Sequence, residues 1–534
     1  MSKLIKNISF ISIGVILLYL TPLFFNLLNW DLGNVFPEVL YDPDYQDSLL
    51  RTISFAVIST VTVIMLSFLL GYILRNIKSN KSLIIGSVLL LPFLLGSVST
   101  SFLFKILLYD SSILAQAFNN SFFLFGVLII IQFWQFGSLF TYIFWLNNLN
   151  ISEQITDYSN YYKFNTWEKI KNIFLPYHRN LIILLSIFFF VSNIYESTKL
   201  QIIFKASKGT NSEILSQTLY NSYLSDSKIS PDFAADVLFS QTTLFYLPIF
   251  ILMVILLYLF LNNFIQLSSR SKFTIPAIIS IPKKYKKKTT FFILYSLITS
   301  ISVPIVYVLM NHGIKMKNIN YLISTIGLSF FTAFILITVI TLPLSYYLRI
   351  KWKGNFNNIN NKSIWVFITL FLLFLVPPLA LMLFGFEWSN IFGIRGTLST
   401  NISWIVGQCI SALPIIASFI FVIHFFTKNK ELDYLNIMKA DFSEIIRWSF
   451  LKKYKIEYLM TFLFAFSIIW NEGTFNRVYS DRIPSYVSEI LRTVNSRNAD
   501  YGQGMMLFLF SLLLGIICIV LWNVIVTRFT NANS

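Results

Sequence analysis

Long segments that are almost free of charge recur along the whole chain, and they restrict its fold more than any other feature. A helix needs about 20 residues to cross roughly 30 Å of hydrocarbon at 1.5 Å per residue. Only 12% of the residues are charged and 56% are hydrophobic. In lipid, backbone polar groups must bond within their own segment or within a closed barrel. The sequence therefore predicts an all-α polytopic membrane protein.

Twelve segments are long or apolar enough to be predicted membrane spans. The fifth and eleventh are short, and short runs of this kind also occur as re-entrant segments; we nevertheless predict that they cross. The twelve segments are residues 8–28, 53–74, 83–107, 122–146, 181–194, 243–261, 291–310, 321–348, 364–386, 402–426, 458–470 and 505–526.

Charge is distributed unequally between the two sides of this topology. With both termini inside, the inner loops hold 28 of the 41 basic residues but only eight of the 24 acidic residues. This agrees with the excess of Lys and Arg in cytoplasmic loops. The basic run Lys283–Lys288 is then a linker beside anionic headgroups, and no nucleic-acid partner is implied. We expect a multi-pass membrane protein with both termini cytoplasmic.

Two polar loops of the chain are similar to each other. The segment that starts at Asp157 recurs 276 positions later at Asp433, and in the same register SEIL at Ser212 recurs at Ser488. From residue 157 to residue 215, sixteen of 59 positions are identical without a gap. About four or five identities would be expected from the biased composition alone, so the match indicates an internal repeat.

The repeat divides the chain into two halves of six spans. We predict a first half at residues 1–265, a basic cytoplasmic linker at 266–290 and a second half at 291–534. An even number of spans per repeat gives both copies the same orientation in the membrane, related by an axis along the membrane normal. A transport pathway is then expected at the interface between the halves.

The first repeated loop alternates aromatic and charged residues at close to helical spacing, which predicts short amphipathic helices. Asp157 and Asp433 suit the first turn of a helix, where a carboxylate accepts hydrogen bonds from free amides. Pro176 is expected to end this helical segment before the fifth span begins.

These residues resemble the cytoplasmic loop of the membrane permeases of binding-protein-dependent ABC importers. That loop reads EAA, three residues, G, nine residues, I, one residue, LP. Asp157 falls on the Glu, Lys163 on the Gly, Ile173 on the Ile, and Leu175 with Pro176 on the terminal pair; in the second half Asp433, Lys439, Ser449, Leu451 and Lys452 take these places. Both halves lack the two alanines and carry Lys for Gly, and the second half also lacks the Ile and the Pro.

The resemblance implies a fold and a set of partners. It implies a type I importer permease of the bacterial inner (cytoplasmic) membrane. Its two loops, about 150–178 and 428–454, would dock on two copies of a cytoplasmic ABC ATPase. Those subunits would use ATP and Mg²⁺, and an external solute-binding protein, periplasmic or extracellular, would deliver the cargo. The coupling residues implied are Asp157, Tyr158, Asn160, Lys163, Glu168, Ile173, Leu175 and Pro176, with Asp433, Tyr434, Asn436, Lys439, Glu444 and Leu451.

Fusion of two halves in one chain resembles the branch that imports ferric iron or thiamine, so these are the expected solutes. The sequence contains no GxxxxGK[ST] phosphate loop, which an ATPase of this kind needs. We therefore expect a transporter subunit and not an enzyme. The chain itself is expected to bind no cofactor, and neither a catalytic set nor a metal site is predicted.

Polar residues in or near the spans are candidates for the pathway, because their burial in lipid is costly. They are also compatible with ordinary hydrogen bonds between helices. The candidates are Gln132, Gln408, Glu196, Thr198, Glu472 and Thr474.

Two other functional classes remain open. A twelve-span secondary transporter driven by an ion gradient would place ionisable residues within the spans to carry the coupled ion. A membrane scaffold or membrane enzyme is the third possibility. Neither alternative accounts for a duplicated docking loop.

Overall fold

The structure is a computed structural model of the whole chain. It describes residues 43–77, 80–109, 121–149, 151, 161, 164–196, 198–204, 286–311, 319–341, 401–402, 404–413, 415–416, 455–472, 486–487, 489–490 and 501–532.

Every described element of the first half is a helix. A 3₁₀ turn, Ser87–Leu90, follows α2, and π-helical turns occupy Phe133–Gly137 and Ile170–Phe174. The helices are α1 (Pro43–Leu74), α2 (Asn80–Gly86), α3 (Leu91–Leu94), α4 (Gly96–Tyr109), α5 (Ser121–Gln132), α6 (Ser138–Leu149), α7 (Thr166–Lys169), α8 (Leu175–Ile194) and α9 (Thr198–Phe204).

The described elements of the second half are also helical. A π-helical segment, Leu336–Thr341, continues the second of them. The helices are α10 (Lys286–Asn311), α11 (Ile319–Ile335), α12 (Trp404–Leu413), α13 (Lys455–Trp470) and α14 (Tyr501–Ala532).

Five helical segments among the described residues are long and apolar enough to cross a membrane, or up to seven if each of two bent pairs is one span. The chain is thus a helical, multi-pass membrane protein, as predicted. The predicted spans 8–28, 243–261 and 364–386 lie outside the described residues. The five straight candidates are Gln46–Leu74, Phe125–Leu149, Thr289–Asn311, Ile319–Thr341 and Gly504–Ile525.

The segment predicted as the third span, residues 83–107, is sharply bent in the structure. The segments Lys81–Leu94 and Gly96–Leu108 meet at an angle of 88°. Pro92 lies in the first turn of the short helix α3, and Gly96 has a φ of 74°, a value that glycine adopts at little cost. The apolar run was continuous, but this proline and glycine break its helix into two arms.

The prediction that Pro176 ends a helical segment is wrong. Helical hydrogen bonding continues from α7 through the π turn Ile170–Phe174 into α8, and Pro176 occupies the first turn of α8. Proline is tolerated there because the first turn needs no amide donor for intrahelical bonding. The chain instead bends by 66° between Arg179 and Leu181.

Small residues allow the helices to approach one another closely. A Cβ atom placed on Gly71 of α1 would lie 2.6 Å from the Cβ of Phe144 in α6, and one placed on Gly515 of α14 would lie 2.8 Å from Leu91 Cδ1. Because real Cβ atoms do not approach so closely, a larger residue at Gly71 would push the two helices apart. At Gly515 it would require the end of the Leu91 side chain to move. Such contacts are typical of helix packing in membranes, where small residues let backbones come together.

The two halves share one large apolar core. It joins Trp145 and Phe102 of the first half to Trp404, Trp470 and Phe508 of the second half. Hydrogen bonds cross the same boundary: Trp522 Nε1 donates to the Tyr142 hydroxyl at 2.9 Å, and Trp134 Nε1 donates to the Ser300 carbonyl at 3.2 Å. The described parts of the halves are therefore packed against each other, which positions the site described next.

Candidate functional site

A cavity of about 260 Å³ lies between the C-terminal ends of α8 and α13. The bend between α3 and α4 and the π turn Phe133–Gly137 complete its wall. Its lining combines aromatic rings, hydroxyl and amide groups and two carboxylates, and none of the described lining residues is basic. An apolar cavity with a few polar groups is the usual form of a small-molecule site.

Many of the lining residues occur in pairs 276 positions apart. Glu196 and Glu472 both line the cavity, as do Phe188 and Phe464. The other such pairs are Gln135 with Ser411, Ser192 with Ile468, and Tyr195 with Asn471. Positions that correspond in the predicted repeat thus line the same space.

The helices that end at the cavity also end in the same way. After α8, the Tyr195 amide donates to the Val191 carbonyl at 3.2 Å and the Glu196 amide to the Asn193 carbonyl at 3.3 Å. After α13, the Asn471 amide donates to Ser467 at 3.2 Å and the Glu472 amide to Ile469 at 3.4 Å. The two hydrogen bonds after α8 and the two after α13 join positions that are 276 residues apart in the sequence. The backbone at the two glutamates is therefore hydrogen-bonded in the same way.

In the first half, a buried ion pair lies beside the cavity. Lys199 Nζ donates to Glu196 Oε2 at 2.5 Å and to Gln132 Oε1 at 3.1 Å, and Gln132 Nε2 donates to Glu196 Oε2 at 3.3 Å. The Lys199 side chain is fully buried and that of Glu196 is 6% exposed. The ammonium also lies 5.4 Å from the centre of the Phe136 ring, within the range of a cation–π contact.

The corresponding positions of the second half lack the lysine. Gln408 stands at the position of Gln132 and Glu472 at that of Glu196, but Phe475 stands at that of Lys199. Gln408 is fully buried, and neither its Oε1 nor its Nε2 has a hydrogen-bond partner in the part of the chain that the structure describes. A buried amide left unpaired is costly, so the two copies of this site differ in how far their polar groups are satisfied.

A second polar cluster secures the bend of the third predicted span. Asn471 Oδ1 accepts from the Ser99 hydroxyl at 2.8 Å and from the Ser511 hydroxyl at 3.2 Å, and Asn471 Nδ2 donates to the Ser467 carbonyl at 3.1 Å. Gly96 lies against the Asn471 side chain. The bend in the first half is thus held by a residue of the second half.

The structure brings four of the six predicted pathway residues to this region. Glu196, Thr198 and Glu472 line the cavity, and Gln132 bonds to Glu196. Gln408 is buried in α12, one turn before the lining residue Ser411, and its side chain has no hydrogen-bond partner among the described residues. Thr474 lies outside the described residues.

Of the predicted coupling residues, the structure describes four. Glu168 and Asn165 form a capping box at the start of α7: Glu168 N donates to Asn165 Oδ1, and Asn165 N donates to Glu168 Oε2, both at 2.8 Å. Ile173 lies in the π turn, and Leu175 and Pro176 are exposed in the first turn of α8. The other ten coupling residues lie outside the described residues: Asp157, Tyr158, Asn160, Lys163, Asp433, Tyr434, Asn436, Lys439, Glu444 and Leu451.

An arginine joins this segment to the end of α1. The Arg75 guanidinium lies 4.3 Å from the ring centre of Phe174 and 4.5 Å from that of Tyr72. These two rings meet edge to face with their centres 4.8 Å apart. Burial of the guanidinium lowers the pKa of Arg75, but arginine remains charged at physiological pH. The segment after α7 is therefore fixed to the membrane helices through aromatic contacts.

Sequence reasoning missed four residues of the site: Lys199, Gln135, Asn471 and Ser99. Lys199 could have been found, since it follows Glu196 by three residues and such pairs meet on one helical turn. Gln135 lies three residues after Gln132 within an apolar run, which is a comparable signal. Nothing in the sequence indicated that Ser99 and Asn471, 372 residues apart, would meet.

The described residues define a class: a helical, multi-pass membrane protein whose two halves meet at a polar cavity. Comparison of the chain with known protein families, with curated proteins and with solved structures gives no match. The function must therefore be argued from the geometry and from the sequence.

Proposed function

We propose that the chain is the permease subunit of an ATP-driven importer and that the cavity between its halves is part of the path of a small solute. The cavity carries this proposal, because corresponding positions of both repeats line it. A pathway between two parallel repeats should be lined in this way. The packing of α8 and α13 ends around one space supports the assignment.

The segment from α7 to α8 is proposed as the first site of contact with an ATPase subunit. Trp167 is 67% exposed on it, although tryptophan is usually buried or at an interface. Beside it the capping box fixes the start of the helix, and Phe174 and Arg75 connect it to α1. Movement of a docked ATPase would thereby reach the membrane helices. The second contact, at about 428–454, is proposed from the sequence alone.

An assembly experiment tests the proposal. The tagged chain should purify from its native membranes with a soluble ATPase that has a phosphate loop, at two copies per chain, and the complex should hydrolyse ATP. The double variant Asp157→Arg/Asp433→Arg should lose most of this ATPase, because both loops then present the wrong charge. Asp47→Arg, at the exposed start of α1, is the control and should retain it.

A double variant that holds the same amount of ATPase as the unchanged chain would refute docking at these loops. Where assembly is confirmed, ATP-dependent uptake identifies the solute. Thiamine and ferric iron are the first solutes to test, because they are those of the branch that the chain resembles. A membrane-external binding protein should be required for uptake.

One observation favours a secondary transporter as the second candidate. Lys105 in α4 and Glu457 in α13 are 2% and 4% exposed, and ionisable residues buried at membrane depth often carry a coupled ion. On this alternative the chain would purify from native membranes without an ATPase. It would also take up solute in proteoliposomes on an ion gradient without ATP, which a permease subunit alone should not do.

A further inference from the structure

We infer that Gln135 selects the solute of the cavity, and that this solute is a small aromatic amine which donates an N–H group to the Gln135 amide oxygen. The inference rests on the proposed function, since it names the class of solute for the same cavity. Two observations carry it: the Gln135 amide oxygen has no donor in the described part of the chain, and aromatic rings of both halves form the wall beside it.

The side chain of Gln135 is not explained by the local needs of its own helix. Gln135 lines the cavity at 2% exposure, and its Oε1 has no hydrogen-bond partner among the described residues. The π turn Phe133–Gly137 obtains its donors elsewhere: the Ser67 hydroxyl donates to the Gly137 carbonyl at 3.0 Å, and the Ser138 hydroxyl donates to the Gln135 carbonyl at 3.1 Å. The Gln135 amide is therefore not a cap of this turn.

Three other polar residues of the wall form their hydrogen bonds within the protein. Asn471 accepts from two hydroxyls and donates to the Ser467 carbonyl, and the Ser467 hydroxyl donates to a carbonyl of α3 at 2.8 Å. Ser411, which corresponds to Gln135 in the second half, donates to the Gln408 carbonyl at 3.1 Å. Gln135 differs from these three residues because its acceptor is left for a solute.

Aromatic rings of both halves lie next to this amide. Phe136 follows Gln135 in the π turn, and its ring centre lies 5.6 Å from that of Phe93. The ring of Phe93 in turn lies 5.9 Å from that of Phe464 in α13. All three rings line the cavity. Because aromatic rings favour offset or edge-to-face contacts with another ring, this surface suits a solute with a flat ring.

The free acceptor makes the wall selective among such rings. Water in the cavity can donate to the Gln135 oxygen, and a solute group that displaces this water without replacing its hydrogen bond loses affinity. A buried acceptor that is left without a donor is costly. The volume of about 260 Å³ is just below the range of about 300–1,000 Å³ for sites of drug-sized molecules. One ring with a short N–H-bearing substituent fits this volume and satisfies the acceptor.

Ligand-observed ¹⁹F NMR on the purified full chain in lipid nanodiscs tests the inference. The probes are 4-fluoroaniline and 4-fluorotoluene, which have nearly the same shape, are both uncharged at neutral pH and differ by an amino group in place of a methyl group. Empty nanodiscs are used to subtract partitioning into lipid. The measured quantity is the ratio of the two affinities, which isolates the contribution of the amino group.

Gln135→Met keeps the length of the side chain but has no acceptor oxygen. It should lower the ratio of amine to toluene affinity about fivefold, the contribution of a typical hydrogen bond. Gln135→Glu keeps an acceptor and should not lower the ratio, and Gln46→Met, at the exposed start of α1, should leave it unchanged. Phe464→Leu removes ring surface and should weaken both probes alike.

Three results would overturn the inference: the same affinity ratio in Gln135→Met and in the unchanged chain, no binding of the amine probe to the unchanged chain, or unchanged binding of the amine in Phe464→Leu. If Gln135→Met does not fold, the unchanged chain and Phe464→Leu still decide. Because no ATPase is present, a negative result here leaves the assembly experiment above unaffected, and failed assembly leaves the probe affinities unaffected.

Discussion

The two copies of the glutamine–glutamate site have the same backbone hydrogen bonds at their helix ends but different side-chain contacts. In the first half Lys199 satisfies Gln132 and Glu196. In the second half Gln408 is buried, and its side chain has no hydrogen-bond partner among the described residues; the sequence position that corresponds to Lys199 holds Phe475. The first copy thus contains a closed ion pair, while the buried amide of the second copy is left unsatisfied. The difference teaches that the same residue type at corresponding positions does not ensure the same hydrogen bonds.

Removal of the lysine should have the largest effect on stability. Lys199→Met leaves Glu196 buried without its counter-ion, and breaking one partner of a buried pair costs about 3–5 kcal/mol. The double variant Glu196→Gln/Lys199→Met leaves no unpaired charge and should recover most of this loss. Unfolding in mixed micelles with increasing SDS measures the difference.

Arg51→Met is the control for this variant. Arg51 and Asp47 form an ion pair at 3.4 Å, with their side chains 26% and 65% exposed, and exposed pairs contribute less than about 1 kcal/mol. A Lys199→Met chain no less stable than Arg51→Met would show that the first copy is not a closed ion pair. The proposed difference between the two halves would then not hold, because the first half would contain no closed ion pair.

The bend beside Asn471 should be the next most sensitive point. Gly96→Ala places a Cβ on a residue with a φ of 74° and 2.7 Å from Asn471 Cγ. Strain of this kind costs about 1–3 kcal/mol, to which the contact with Asn471 adds. We expect a loss of about 2–3 kcal/mol in the same SDS titration. Gly126→Ala is the control, because a Cβ there meets no atom within 4 Å, and it should not destabilise.

The smallest predicted effect is on stability, where replacing each of the two glutamines by leucine should have different consequences. Gln132→Leu removes hydrogen bonds to Lys199 and Glu196 and should destabilise by about 1–2 kcal/mol. Gln408→Leu removes an amide that has no partner and should be neutral or slightly stabilising, since an apolar side chain of similar size avoids the cost of burying the amide. Equal destabilisation by both changes would show that Gln408 has a partner after all.

The helical nature of the fold was predictable because hydrophobic length is a local property. For this reason the C-terminal ends of α1, α8 and α13 coincide with those of the predicted spans 53–74, 181–194 and 458–470. The place and size of the bend at Gly96 could not be read from the apolar run between residues 83 and 107. They depend on the positive φ of Gly96 and on its contact with Asn471, which is distant in the sequence. Pro176 was misread because a proline suits the beginning of a helix as well as its end.

The site was predictable in its residue types but not in its contacts. Glutamine and glutamate in or beside apolar segments stand out in this sequence, which led to Gln132, Glu196 and Glu472. Which partner satisfies each of them depends on the tertiary structure: Lys199 reaches Gln132 across 67 positions, and Asn471 reaches Ser99 across 372. The repeat register predicted the correspondence of the halves, but it could not show that their ends surround one cavity.

The π turn Phe133–Gly137 gives the cavity wall a possible second arrangement. A π-helical turn holds one surplus residue relative to an α-helix, and a change of one residue in register rotates a helix by about 100°. Gln135 and Phe136 lie within this turn and face the cavity. If the surplus residue moved along the helix, the Gln135 amide and the Phe136 ring would rotate out of the wall while α5 and α6 remained helical. The wall could thus change its chemistry by rotation, without any helix leaving its place.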